Sequence, residues 1–169
     1  NADLSDEQLQ EFYTQYTNEF VLSEPIIKGL FLKVPMGAPN LQNLRGWLNS
    51  LSSKSLENIE RYCVQNASTY DYFADRWVNL SEVSKNISIP VGSNDILSKN
   101  RLIEVQDSTF RYFLFVQDYK AAGATAPFDA AKEKIRMSLI NKKRIDFIKN
   151  FQEEIYQKAL KKGDINFFD

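Results

Sequence analysis

Residues 110–135 read FRYFLFVQDYKAAGATAPFDAAKEKI. Their first part, Phe110 to Gln117, is dense in aromatic and aliphatic side chains and predicts a strand. KAAGATA, residues 120–126, has small side chains and a glycine, so it reads as a linker. Pro127 then suits the first turn of a helix, and Asp129 suits the positive end of its dipole. A strand that leaves through a loose linker into a helix is the exit from a sheet. The rest of the fold is read outward from it.

Upstream, RLIEV (101–105) and FRYFLFVQ (110–117) flank the turn QDST (106–109), which predicts an antiparallel hairpin. IPVGSND (89–95) breaks the chain before the hairpin. In NASTYDYFADRWVNLSEV (66–83), aromatic density predicts a short strand from Tyr72 to Val78 followed by a helical turn. IIKGLFLKVP (26–35), entered from Pro25 and closed by Pro35, predicts a buried strand dominated by Ile26, Leu30, Leu32 and Val34. After the turn MGAP, Asn40 is expected to cap a short helix with Leu41, Leu44, Leu48 and Leu51 on one face. Ser55 is expected to open another, carrying Leu56, Ile59 and Cys63.

Both ends of the chain read as helices. In LSDEQLQEFYTQYTNEF (4–20), Ser5 and Gln8 have the spacing of a capping box, and Leu4 and Leu9 that of a hydrophobic staple. Leu9, Phe12, Tyr13, Tyr16 and Phe20 then form one aromatic stripe. From Pro127 helical patterning continues to Lys161 and Lys162, with Gly163 as the stop. Phe128, Ala131, Ile135 and Leu139, then Ile148, Phe151 and Ile155, carry an apolar stripe along about 50 Å, with a bend expected at Asn141, where the stripe loses phase. A one-sided stripe needs a cover, so the two terminal helices are expected to pack on one another. The resulting organisation is α+β: an N-terminal helix in 1–24, a small sheet-and-helix domain in 25–119, and a long C-terminal helix in 120–169 returning to the first.

Composition removes several functions. Lys plus Arg (21) balance Asp plus Glu (22), so no field recruits polyanions and nucleic acid is not expected as a partner. No apolar run approaches the ~18 residues of a membrane span. No signal peptide is visible, but the chain begins at Asn1 without a methionine, which leaves the compartment open. The single Cys63 excludes an internal disulfide without excluding an oxidising compartment. The chain has no histidine, which closes Ser–His–Asp and Cys–His catalysis and His-ligated metal sites. No carboxylate cluster has metal-ligand spacing, and neither a cofactor nor a metal is expected.

The order helix, strand, helices, strand, helical turn, hairpin, long helix resembles the SurA-type chaperones, in which a parvulin-like peptidyl-prolyl isomerase module sits between terminal helical segments. EQLQEFYTQYTNEF, IIKGLFLKV and FRYFLFVQDYKAAGATAPFDAAKEKIRMSL carry the resemblance. It implies a parvulin-like sheet with helices in 25–119, a periplasmic or envelope location, and a role in binding unfolded or extended polypeptides such as outer-membrane protein precursors. Active parvulins carry a histidine in the first strand and another in the last; those positions fall on Gly29 and Phe113. The family's glycine-rich segment before the middle strand is also missing, since STYDYFADRWV holds no glycine. Isomerase activity is therefore expected to be weak or lost, with two readings left open: an active isomerase with a non-histidine pocket, and a non-catalytic subunit for one dedicated partner.

The resemblance places Gly29, Phe31, Trp77, Leu80 and Phe113 around any remaining peptide groove, with ordinary core packing as the alternative for each. No catalytic residue is assigned. Cys63, on an apolar helical face, reads as a buried structural thiol. The basic runs at 142–144 and 161–162 read as solvated helix faces.

Overall fold

The computed structural model describes residues 4–87 and 101–163. The breaker IPVGSND lies outside them. The architecture is mixed α+β, with a four-stranded antiparallel sheet and, among the described residues, five α-helices. The chain divides into two compact units, Asn1–Phe20 with Pro127–Asp169, and Val21–Ala126.

The second unit is built on the sheet. Its strands are β1 (Ile26–Pro35), β2 (Thr69–Asn79), β3 (Leu102–Gln106) and β4 (Phe110–Lys120), in the order β2-β1-β4-β3. β1 and β4 are central and pair in an antiparallel register that sets Leu32 opposite Phe113 and Lys33 opposite Tyr112. Strands covered on both faces bury both sets of alternating side chains, which is why their sequences are nearly continuous apolar runs. Leu30, Leu32, Val34, Phe113 and Phe115 point to one face, where Leu44 and Leu48 of α2 (Leu41–Asn49) and Ile59, Tyr62 and Cys63 of α3 (Ser53–Asn66) close the core. Ile27, Phe31, Tyr112, Leu114 and Val116 point to the other, under Leu80 and Val83 of α4 (Leu80–Ser84) and Ile87.

Local chemistry differs from expectation in three places. Asn40 does sit at the cap of α2, but in left-handed backbone (φ 59°) and without a side-chain cap bond, so it turns the chain and accepts from Leu44 N–H through its backbone carbonyl alone. α3 opens at Ser52; Ser55 is the third residue of its capping box, its Oγ accepting from Ser52 N–H while Ser52 Oγ accepts from Ser55 N–H. β2 is longer than the Tyr72–Val78 segment because pairing with β1 extends the ladder from Thr69 to Asn79, Asp71 included. Between the pairs Ile27↔Val78 and Gly29↔Phe73, residues 74–77 bulge opposite Lys28.

The first unit joins α1 (Asp6–Gln15), a 3-10 turn at Thr17–Phe20, and α5 (Phe128–Lys162). The Ser5/Gln8 capping box is formed, and Leu9, Phe12 and Phe20 are buried. Tyr13 meets Phe128 edge-on at 5.6 Å, Lys132 pairs with Asp6 at 3.0 Å, and Lys134 Nζ donates to the Glu19 carbonyl at 3.2 Å. Gly163 ends α5 in left-handed backbone (φ 74°). α5 runs as one helix through the exposed Asn141. The expected burial of Ile148, Phe151 and Ile155 is corrected, for they are 46, 53 and 52% exposed. α1 packs on the side of α5 that carries Phe128, Ala131 and Ile135, and Ile148, Phe151 and Ile155 lie away from that side.

Candidate functional site

The sheet face under α4 ends in a cavity of about 500 Å³. Lys85, Asn86 and Ile87 form one wall, and Val105, Gln106, Asp107 and Tyr112 the other. The hairpin turn builds the second wall. Asp107 Oδ1 accepts from the N–H of Thr109 (2.8 Å) and of Phe110 (2.7 Å), an Asx turn that sets the register of β3 on β4. The Tyr112 hydroxyl donates to Asp107 Oδ2 at 2.6 Å, and its ring stacks on Phe31 with centroids 6.5 Å apart. Phe110 packs against the same ring at 6.4 Å, and Lys33 Nζ stands 4.2 Å from the Phe110 ring centroid. The result is an aromatic ledge with one ammonium over it and one fixed tyrosine–carboxylate pair at its edge.

The electrostatics follow from those bonds. The hydrogen bond from Tyr112, then those from Phe110 and Thr109, hold the Asp107 carboxyl below its ordinary range. The same bond to Asp107, with desolvation, raises the Tyr112 hydroxyl. Both groups therefore stay in their ordinary neutral-pH forms, carboxylate and phenol, and neither is a poised proton shuttle. Among the described residues there is no cluster of groups able to hold a metal ion. Cys63 lies in the core on the opposite face, where burial pushes its thiol up to about 12, so it is no nucleophile. Among the described residues the cavity is lined by one ammonium (Lys85), the Tyr112–Asp107 pair, two amides and two aliphatic side chains.

Of the five residues expected around the groove, the structure brings two together with the cavity's aromatic wall. Phe31 and Leu80 share the core cluster that includes Tyr112. Phe113 is fully buried on the other face, among the side chains of α2 and α3. Gly29 lines nothing: a Cβ there would collide with the backbone carbonyl of Phe115, so the position exists for close strand approach. Trp77 lies in the β2 bulge, with Lys28 Nζ 4.9 Å from its ring centroid, and belongs to neither core cluster. Reading the sequence missed Tyr112 and Asp107. The available signal was parity, since Tyr112 and Phe113 must face opposite ways in a strand and nothing in FRYFLF says which way each faces. The turn QDST pointed to Asp107 as a turn former but not to its bond with Tyr112.

Comparison with family models, with curated proteins and with solved structures finds no match to this chain.

Proposed function

We propose that this chain is a parvulin-like, SurA-like folding factor of a bacterial cell envelope, one that binds extended or unfolded polypeptide and has weak or no isomerase activity. The observation that carries the reading is the cavity beside Tyr112, on the sheet face away from α2 and α3. Its size falls in the range of small-ligand sites, about 300–1,000 Å³, enough for a proline-sized side chain and its neighbours. The order α1, β1, α2, α3, β2, α4, β3, β4, α5 supports the same reading. Rotating a peptide bond costs about 18–20 kcal/mol, and lowering that barrier takes directed polar groups around the twisted amide. Lys85, Asn86, Gln106 and the Tyr112–Asp107 pair line the cavity, but nothing at the positions of the family's two histidines, Gly29 and Phe113, faces it.

The test is aggregation suppression with an unfolded outer-membrane protein precursor, run beside a prolyl-isomerase assay on a short Xaa-Pro peptide. Suppression without turnover is expected, and absence of both activities overturns the proposal. One observation favours the second reading, an active isomerase with a non-histidine pocket: the Tyr112–Asp107 pair places a fixed polar group on the cavity wall. Robust turnover that Tyr112→Phe abolishes would select it.

A further inference from the structure

Apart from Ile145 and Tyr156, 46 and 41% exposed, the exposed apolar side chains of α5 are not a continuation of the face that α1 covers. At 3.6 residues per turn, Phe128, Ala131, Ile135 and Leu139 centre on one side of the helix, and Met137, Ile140, Phe147, Phe151 and Ile155 on the opposite side. Ala131 and Ile135 are buried. Met137, Phe147, Phe151 and Ile155 are 59, 69, 53 and 52% exposed, and Ile148 beside them is 46% exposed. A longer α1 would not reach them. The rings of Phe147 and Phe151 lie parallel with centroids 6.3 Å apart, making one aromatic ridge. Contiguous apolar surface of this kind marks an interaction site.

The spacing 137, 140, 144, 147, 151 alternates three and four, the seam of a helix that pairs with another helix. The charges choose the partner. Arg144 stands in the seam itself, and Lys143 and Glu154 border it on the same side. Neither Lys143 nor Glu154 has an ion-pair partner among the described residues. A parallel second copy would set Arg144 against Arg144. An antiparallel copy, with its two-fold near Lys149, sets Phe147 against Phe151 and brings Lys143 and Arg144 to Glu154, and symmetry repeats each contact. Arg136, which that arrangement brings near Lys161 of the other copy, is already neutralised by Glu133 at 2.8 Å.

We infer that α5 is a self-association helix, whose Met137–Ile155 face pairs antiparallel with the same face of a second copy. Sedimentation equilibrium over a concentration series reads it directly. A monomer–dimer equilibrium is expected, and the double variant Phe147→Glu/Phe151→Glu should be monomeric with unchanged helix content and a melting temperature that does not vary with protein concentration. Lys143→Glu and Glu154→Lys should each weaken the dimer about five-fold, and the double reversal should restore it. A monomer at every concentration overturns the inference. So does a dimer that survives the double glutamate variant, or charge reversals that add instead of compensating. Loss of helix content in the double glutamate variant would show that the face is covered within the chain, and overturns it as well. None of these outcomes depends on chaperone or isomerase activity.

Discussion

Tyr112 and Phe113 are adjacent in sequence and separated by the thickness of the sheet, and this parity gives the sharpest test of the candidate site. Tyr112→Ala removes the ring that forms the cavity wall, and should weaken binding of an extended proline-containing peptide about ten-fold, read by fluorescence titration. Phe113→Ala leaves that wall alone but opens a void in a fully buried position; it should cost about 3–4 kcal/mol in denaturant unfolding, with peptide affinity unchanged in the folded fraction. Gly29→Ala forces a methyl onto the Phe115 carbonyl and should cost about 2–3 kcal/mol, so restoring a larger side chain at this position cannot rebuild a site there. The Asp107 pair predicts a pH dependence. Its folded carboxyl titrates below the unfolded value of about 3.9, so the stability it contributes is present above that value and is lost as pH falls through the folded one. Asp107→Asn should flatten the acid limb of the unfolding free energy measured against pH.

Elements in this protein are set by their ends and by what covers them. The capping box of α1 joins two otherwise unbonded N–H groups to Ser5 and Gln8, and Ser5→Ala should lower the stability of the helical unit by about 1 kcal/mol, seen as a lower melting temperature by circular dichroism. Ser52 and Ser55 do the same for α3 at a buried position. A single helical start signal thus sat three residues from where Ser55 alone would put it, because two serines at this spacing are reciprocal and either can be read as the cap. α2 is tied to the hairpin by charge: Arg45 grips Glu104 with two bonds of 2.8 Å, and Arg111 adds a third at 3.1 Å. Those bonds hold Glu104 below its ordinary range, that to Arg45 most strongly. Side chains this exposed screen the interaction, so Glu104→Gln should cost only about 1 kcal/mol, and less at high salt.

Across the whole molecule, the α+β class, the hairpin, the burial of β1, and the packing of the N-terminal helix on the C-terminal one were legible from hydrophobic period and turn chemistry alone. These are local properties. An apolar run, a capping serine or an Asx turn carries its meaning within a few residues, and IIKGLFLKV holds enough apolar side chains to require cover on at least one face. Three things needed the fold itself. The faces of Tyr112 and Phe113 depend on the register between β1 and β4, and a one-residue slip would exchange them. The cavity exists because residues 85–87, just past α4, and the β3–β4 turn meet from distant parts of the chain. The side of α5 that α1 covers is set by how the two helices dock, and it leaves the Phe147–Phe151 ridge in water. Sequence by itself determined which segments are helix and strand and that β1 is buried on at least one face, because those follow from side-chain period. Tertiary structure alone decided which aromatic borders the cavity and which apolar stripe is left for a partner, because both depend on distances between segments that no local pattern encodes.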